Sequence, residues 1–234
     1  MKSQEKTSLI ASAYTVIRDM ILNFELAPEQ VISDFTLANS LNMSRTPVRE
    51  AIAMLRRDGL IELVENKHIA AAIDKEQIKD LYIAREAVEC RSVELLIEEG
   101  FATEALIKKL REYNQRIEHY TESNDILLTF EPDACIHSTI VEHTGSQRLK
   151  EQMGFYLLQN ERLRFLTLVC NGRARSVPEE HTTIINALEQ RNVAKAIEAI
   201  RWHLRYTTDT YIEAIERFPA NEWIPIIKAI GVNR

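Results

Sequence analysis

The chain has 234 residues, enough for two modest domains, with 45% hydrophobic and 27% charged residues and a formal net charge of −6. That acidic balance excludes nonspecific nucleic-acid binding by the surface as a whole. The sequence contains no run of about 18 apolar residues, so no membrane-spanning helix is expected, and MKSQEKTSL lacks the apolar centre of a signal peptide.

Taken in order, Ser8 to Phe24 reads as a first helix with Ala13, Ile17, Met20 and Ile21 on its core face. Leu26-Ala27-Pro28-Glu29-Gln30 turns the chain. Leu37, Ala38 and Leu41 then repeat at helix spacing, and Asn42-Met43-Ser44 breaks the pattern. Ser44 or Thr46 can cap the next helix, where Pro47 falls in the first turn and its missing N–H does no harm. Val48, Ala51, Ile52 and Leu55 form its apolar stripe, with Arg45, Thr46 and Arg49 at its start or off that stripe, and Gly59 stops it. Two helices, a short turn and polar groups at the start of the second describe a helix-turn-helix, in which an arginine can contact guanine O6 and N7. An ordinary helical hairpin has the same outline. Leu60 to Val64 and His68 to Ile73 flank Glu65-Asn66-Lys67 as a strand, a turn and a strand, which is a wing.

The order helix, helix, recognition helix, wing resembles the winged helix of the GntR family of bacterial transcription regulators. The resemblance rests on Tyr14, Ile17, Arg18, Ile21, Leu26, Pro28, Leu37, Ala38, Leu41, the string SRTPVREA from Ser44 to Ala51, Leu55 and Gly59-Leu60-Ile61. One departure is Asn66-Lys67, where relatives often carry glycine at the wing tip. The resemblance implies a double-stranded DNA operator contacted by Ser44, Arg45, Thr46, Arg49 and Lys67. Over residues 1–73, eight lysines and arginines oppose nine aspartates and glutamates, so any DNA contact is a local patch. So small a patch favours a homodimer on two half-sites of a palindromic operator.

Near Asp74 the pattern changes, and no clear strand follows. Asp74 can cap a long helix ending at Gly100, with Ile78, Leu81, Tyr82, Arg85, Val88, Glu89 and Ser92 on related faces. Further helices are expected over Thr103–Tyr120, from Asn124 or Asp125 to Gly145 with a kink at Pro132, over Ser146–Cys170, from Pro178 after a loop at 171–177, and over Val193–Phe218. The tail with Trp223, Pro225 and Ile226-Ile227 reads as a short added helix. The fold class is therefore mainly α: a winged helix-turn-helix over residues 1–73 and an all-α bundle over 74–234. Cys90, Cys135 and Cys170 have no metal-knuckle spacing and read as reduced buried thiols of a cytoplasmic protein.

Asp133 and His137 stand four apart, one turn apart on one helix face, while His181 and His203 lie in two later helices. A bundle can bring the four into one centre, and three imidazoles with a carboxylate suit zinc or another borderline divalent ion. Spacing alone also fits unrelated hydrogen-bonded histidines. Asp-x-x-x-His, then Glu-His, then a histidine about two turns into a last long helix resembles the FCD effector domain of FadR-type GntR regulators. That resemblance implies Asp133, His137, His181 and His203 as metal ligands, with zinc first and nickel or manganese as alternatives. It also implies a small carboxylate effector completing the coordination, with Arg85 in Arg85-Glu86-Ala87-Val88-Glu89 as its contact. Departures are Gln147 after Gly145-Ser146, and Asn192. An ion pair with Glu89 is the other reading of Arg85. Arg162 and Arg164 are expected as exposed helix charges, and His119 and His143 face solvent. The expected function is a metabolite-responsive repressor, not an enzyme. The rival classes are a metal-dependent enzyme and a metal-stapled structural protein.

Overall fold

The computed structural model describes residues 2–170, 172–218 and 220–231. Those within Met1–Ile73 and Ala220–Arg234 form one compact unit and those within Asp74–Pro219 a second.

In the first unit, α1 (Lys2–Leu22), α2 (Asp34–Ser40) and α3 (Arg45–Arg57) surround a core that includes Ile17, Ile21, Leu37, Val48, Ile52 and Leu55. The first helix begins at Lys2, earlier than the apolar pattern does. Ser33 caps α2 by accepting from the Thr36 amide. Asn42, at φ 52, turns the chain towards α3 in a conformation that asparagine tolerates. The end of α3 is a Schellman motif: the Leu60 amide donates to the Leu55 carbonyl at 3.0 Å and the Gly59 amide to the Arg56 carbonyl at 3.2 Å, with Gly59 at φ 75. The wing is β2 (Ile61–Val64) and β3 (Lys67–Ala70), paired antiparallel through a two-residue turn in which Glu65 and Asn66 both have positive φ. A short strand, β1 (Val31–Ile32), adds to the other edge of β3. Two residues carry too little periodicity for the sequence to reveal it. The tail helix α10 (Ala220–Gly231) belongs to this unit and not, as the sequence suggested, to the bundle: Trp223 is buried and packs edge-on against Phe24 at 5.4 Å.

The second unit is a helical bundle of α4 (Lys75–Glu98), α5 (Glu104–Glu122), α6 (Phe130–Glu142), α7 (Gln147–Leu163), α8 (Arg173–Glu189) and α9 (Val193–Arg217). Asp74, Thr103, Ser146 and Asn192 cap α4, α5, α7 and α9 through their side chains. Three segments depart from expectation. Pro132 does not kink a helix, because it lies in the first turn of α6, preceded by a 3-10 turn at Ile126–Thr129. The segment after Ser146 is not one helix: α7 ends at Leu163 and a 3-10 turn, Arg164–Leu168, follows. The fifth helix opens at Arg173, five residues before Pro178, and accommodates that proline in its second turn. The expected loop residue Asn171 lies outside the described residues. Of the cysteines only Cys90 is buried, and all three are free.

Candidate metal centre and nucleic-acid interface

Helix geometry brings His137, His181 and His203 around one point of the bundle, with Asp133 beside His181. His137 lies one turn beyond Asp133 on α6. His181 sits in the third turn of α8, where Ile184, Ile185 and Leu188 continue its buried face, and not in the first turn as expected. His203 shares its face of α9 with Ala199, Ile200 and Thr207. All three imidazoles are buried, and one ring nitrogen from each lies within 4.8 Å of the other two. The ring centroids are 4.8 to 5.4 Å apart. Asp133 is the outlying member: its Oδ1 is 3.6 Å from His181 Nε2, and its side chain is 25% exposed.

Two relays hold the outer histidines. His137 Nδ1 donates to Glu89 Oε2 at 2.5 Å, while Arg85 Nε donates to Oε1 of the same carboxylate at 2.9 Å. His203 Nδ1 donates to Glu180 Oε2 at 2.7 Å, and Arg173 grips both Glu180 oxygens at 2.6 and 3.0 Å. An ionised carboxylate only accepts, so each Nδ1 carries the proton and each Nε2 keeps a lone pair for the cluster. Burial alone would raise the pKa of Glu89. His137 and Arg85 outweigh it and hold the carboxyl at about 2. Burial likewise opposes the ionisation of Asp133, and His137, His181 and Arg164 overcome it, leaving this acid well below the usual carboxylate range. For His181, burial and the neighbouring His203 depress the pKa well below that of a free imidazole. His181 has no such relay: neither its Nδ1 nor its Nε2 has a hydrogen-bond partner, although both are buried. A buried, unpaired polar atom costs about 1–3 kcal/mol, so a lone pair donated to a cation would remove a real penalty. The donor set therefore fits a divalent metal.

Beside the histidines is a small cavity of about 40 Å³ lined by Tyr82, Arg85, Asp133, Asn160, Arg164 and Arg173 among others. Arg85 pairs with Glu89, the second of its two readings, and also lines this space. Arg162 and Arg164 are not exposed, contrary to expectation: both are buried, and Arg164 reaches the cavity. Arg173 and Glu180 were missed as members of the site, and their only signal was that two charged residues seven apart precede a histidine on one helix. His119 and His143 are exposed, as expected.

In the first unit, Arg45 and Arg49 project from the first turns of α3 with side chains 59% and 72% exposed. Arg45 Nη2 contacts both oxygens of Asp34 at 3.0 and 2.9 Å, whereas Arg49 Nε stays 3.8 Å from the same carboxylate. Ser44 occupies the N-cap position, but neither its hydroxyl nor that of Thr46 caps α3. Ser44, Thr46 and the wing residue Lys67 are exposed.

Residues 9–69 match the family described as bacterial regulatory proteins of the gntR family, and residues 80–206 match the FCD domain. The chain belongs to the GntR family and carries an FCD domain. It is 25% identical to the uncharacterized HTH-type transcriptional regulator YdhC of Bacillus subtilis (strain 168), across 94% of this chain and 98% of that one. An HTH-type regulator in an unstable DNA locus of Streptomyces ambofaciens is 29% identical, across 89% and 85%. Among solved structures, Escherichia coli McbR/YncC shares the fold at a TM-score of 0.70 and 17% identity, with 88% of this chain and 97% of that chain covered. This GntR-family chain is a transcription regulator, not an enzyme, and proteins of its type bind DNA through the helix-turn-helix. Among its described residues no helix is long and apolar enough to cross a membrane.

Proposed function

We propose that this regulator is a cytoplasmic, metabolite-responsive repressor. It binds a palindromic operator as a homodimer, and a small carboxylate at a metal centre in the FCD domain controls its affinity for DNA. The observation that carries the reading is the buried, unsatisfied imidazole of His181 between two histidines whose outer nitrogens are already fixed by carboxylates. His137, His181 and His203 would hold the ion, with Asp133 as the fourth ligand and zinc as the first choice over nickel or manganese. Bound there, the metal supplies a Lewis-acid coordination site for an effector oxygen. Arg85 supplies the neighbouring positive charge, and Ser44, Arg45, Thr46, Arg49 and Lys67 contact the operator.

Metal analysis of gently purified protein should find about one divalent ion per chain, the stoichiometry of a site with three histidines. Because the ligands come together only in the folded state, a chelator should lower the melting temperature and added zinc should restore it. His203→Ala should abolish the zinc-dependent part of that shift. A protein that takes up well under one equivalent after reconstitution, and melts identically with and without chelator, would refute the metal centre and leave the DNA-binding half intact.

A further inference from the structure

Resting on the metal-and-effector reading above, we infer that the effector is a dianion, a short dicarboxylate, and that Arg164 receives its second carboxylate. Three arginines, Arg85, Arg164 and Arg173, line the cavity beside the histidines. Three carboxylates accompany them: Glu89, Glu180 and Asp133. The first two are fully committed, each to an arginine and a histidine. With neutral imidazoles the protein's own charges therefore balance, and a divalent ion would leave two positive charges in this small cavity. A monocarboxylate would cancel one of them; a dicarboxylate cancels both.

Arg164 is where the second charge belongs. Arg85 is paired with Glu89 and Arg173 with Glu180. Among the described residues, no carboxylate lies within 4 Å of the Arg164 guanidinium, although Arg164 is only 7% exposed. Its Nη1 donates to the Phe130 carbonyl at 2.5 Å, its Nε is buried without a partner, and the guanidinium lies over the Phe130 ring at 5.6 Å. A buried guanidinium that faces a cavity with no carboxylate in ion-pair contact is a place for a further anion. The cavity is small, so the two carboxylates of the ligand must be separated by a short linker.

The test is calorimetric titration of the zinc-loaded full chain with malonate and succinate, against acetate, propionate and butyrate. A dicarboxylate should bind at least about tenfold more tightly than the monocarboxylates, the factor that one charge-assisted hydrogen bond to a buried guanidinium supplies. Arg164→Gln should bring the dicarboxylate down to the monocarboxylate level, and Arg164→Lys should retain part of the preference. Equal binding of mono- and dicarboxylates by the unmodified protein would overturn the inference and leave the effector reading standing. Binding of neither would remove both. The unmodified comparison decides the question even if Arg164→Gln fails to fold, and a folded Arg164→Gln that keeps the preference would overturn the role of Arg164.

Discussion

Arg49 and Arg45 leave the same helix end but are not equivalent. Arg45 already spends one guanidinium nitrogen on Asp34, whereas Arg49 stands 3.8 Å from that carboxylate and is more exposed. Arg49 is thus the freer of the two to present two N–H groups to a guanine. Arg49→Ala should weaken specific operator binding by about 1–3 kcal/mol per half-site and leave the melting temperature unchanged. A gel-shift titration beside a thermal melt checks this, and operator affinity equal to that of the unmodified chain would remove Arg49 from base recognition. At this scale the sequence was legible wherever spacing alone places a side chain. Asp133 and His137, four apart, had to share a helix face, whereas the placing of His181 and His203 with them came from the resemblance to the FCD domain. Arg164 and Arg173 were illegible. A lone arginine defaults to solvent in any sequence reading, and only the bundle shows that the chain end after α7 and the start of α8 turn theirs inward.

Among the elements, α3 shows how a local signal fixes a boundary. Gly59 sits at φ 75, and its amide and that of Leu60 close the last turn. An alanine there must adopt a left-handed conformation that its Cβ resists. Gly59→Ala should therefore destabilise the DNA-binding unit by about 1 kcal/mol, read as a lower denaturant midpoint, and weaken operator binding less than Arg49→Ala does. An unchanged midpoint would mean that the Schellman closure carries no stability. The start of α8 shows the opposite case. Pro178 looks like a helix opener, because proline is well tolerated in a first turn. Here the helix begins five residues earlier, and Arg173 is its first residue. Arg173 then binds Glu180, two turns on, and Thr207 of α9, interactions worth more than the one backbone hydrogen bond that proline forfeits. Tertiary pairing moved that boundary, and no periodicity in residues 171–177 could have announced it. The same holds for β1, which exists because the edge of β3 was available to pair.

For the whole molecule, charge is the constraint. The chain carries a net charge of −6, so most of its surface repels a phosphate backbone. Attraction must come from the exposed side chains of Arg45, Arg49 and Lys67 and their neighbours. A site of that size neutralises few phosphates, and one copy of it cannot hold a specific operator at physiological salt. Two copies related by a two-fold axis double the phosphate contacts and add the base readout of a second half-site, which is the physical case for a homodimer on a palindrome. Sedimentation at micromolar concentration should therefore show a dimer, and titration should give two chains per operator. The logarithm of the affinity should fall with the logarithm of the salt concentration at about twice the slope found for a single half-site. Replacing Lys67 with alanine should reduce that slope without changing which sequence is preferred, because a contact to phosphate carries no base information. A stable monomer that binds one to one with the full-operator slope would contradict this account, since a single patch would then supply all the attraction that the acidic remainder of the chain opposes.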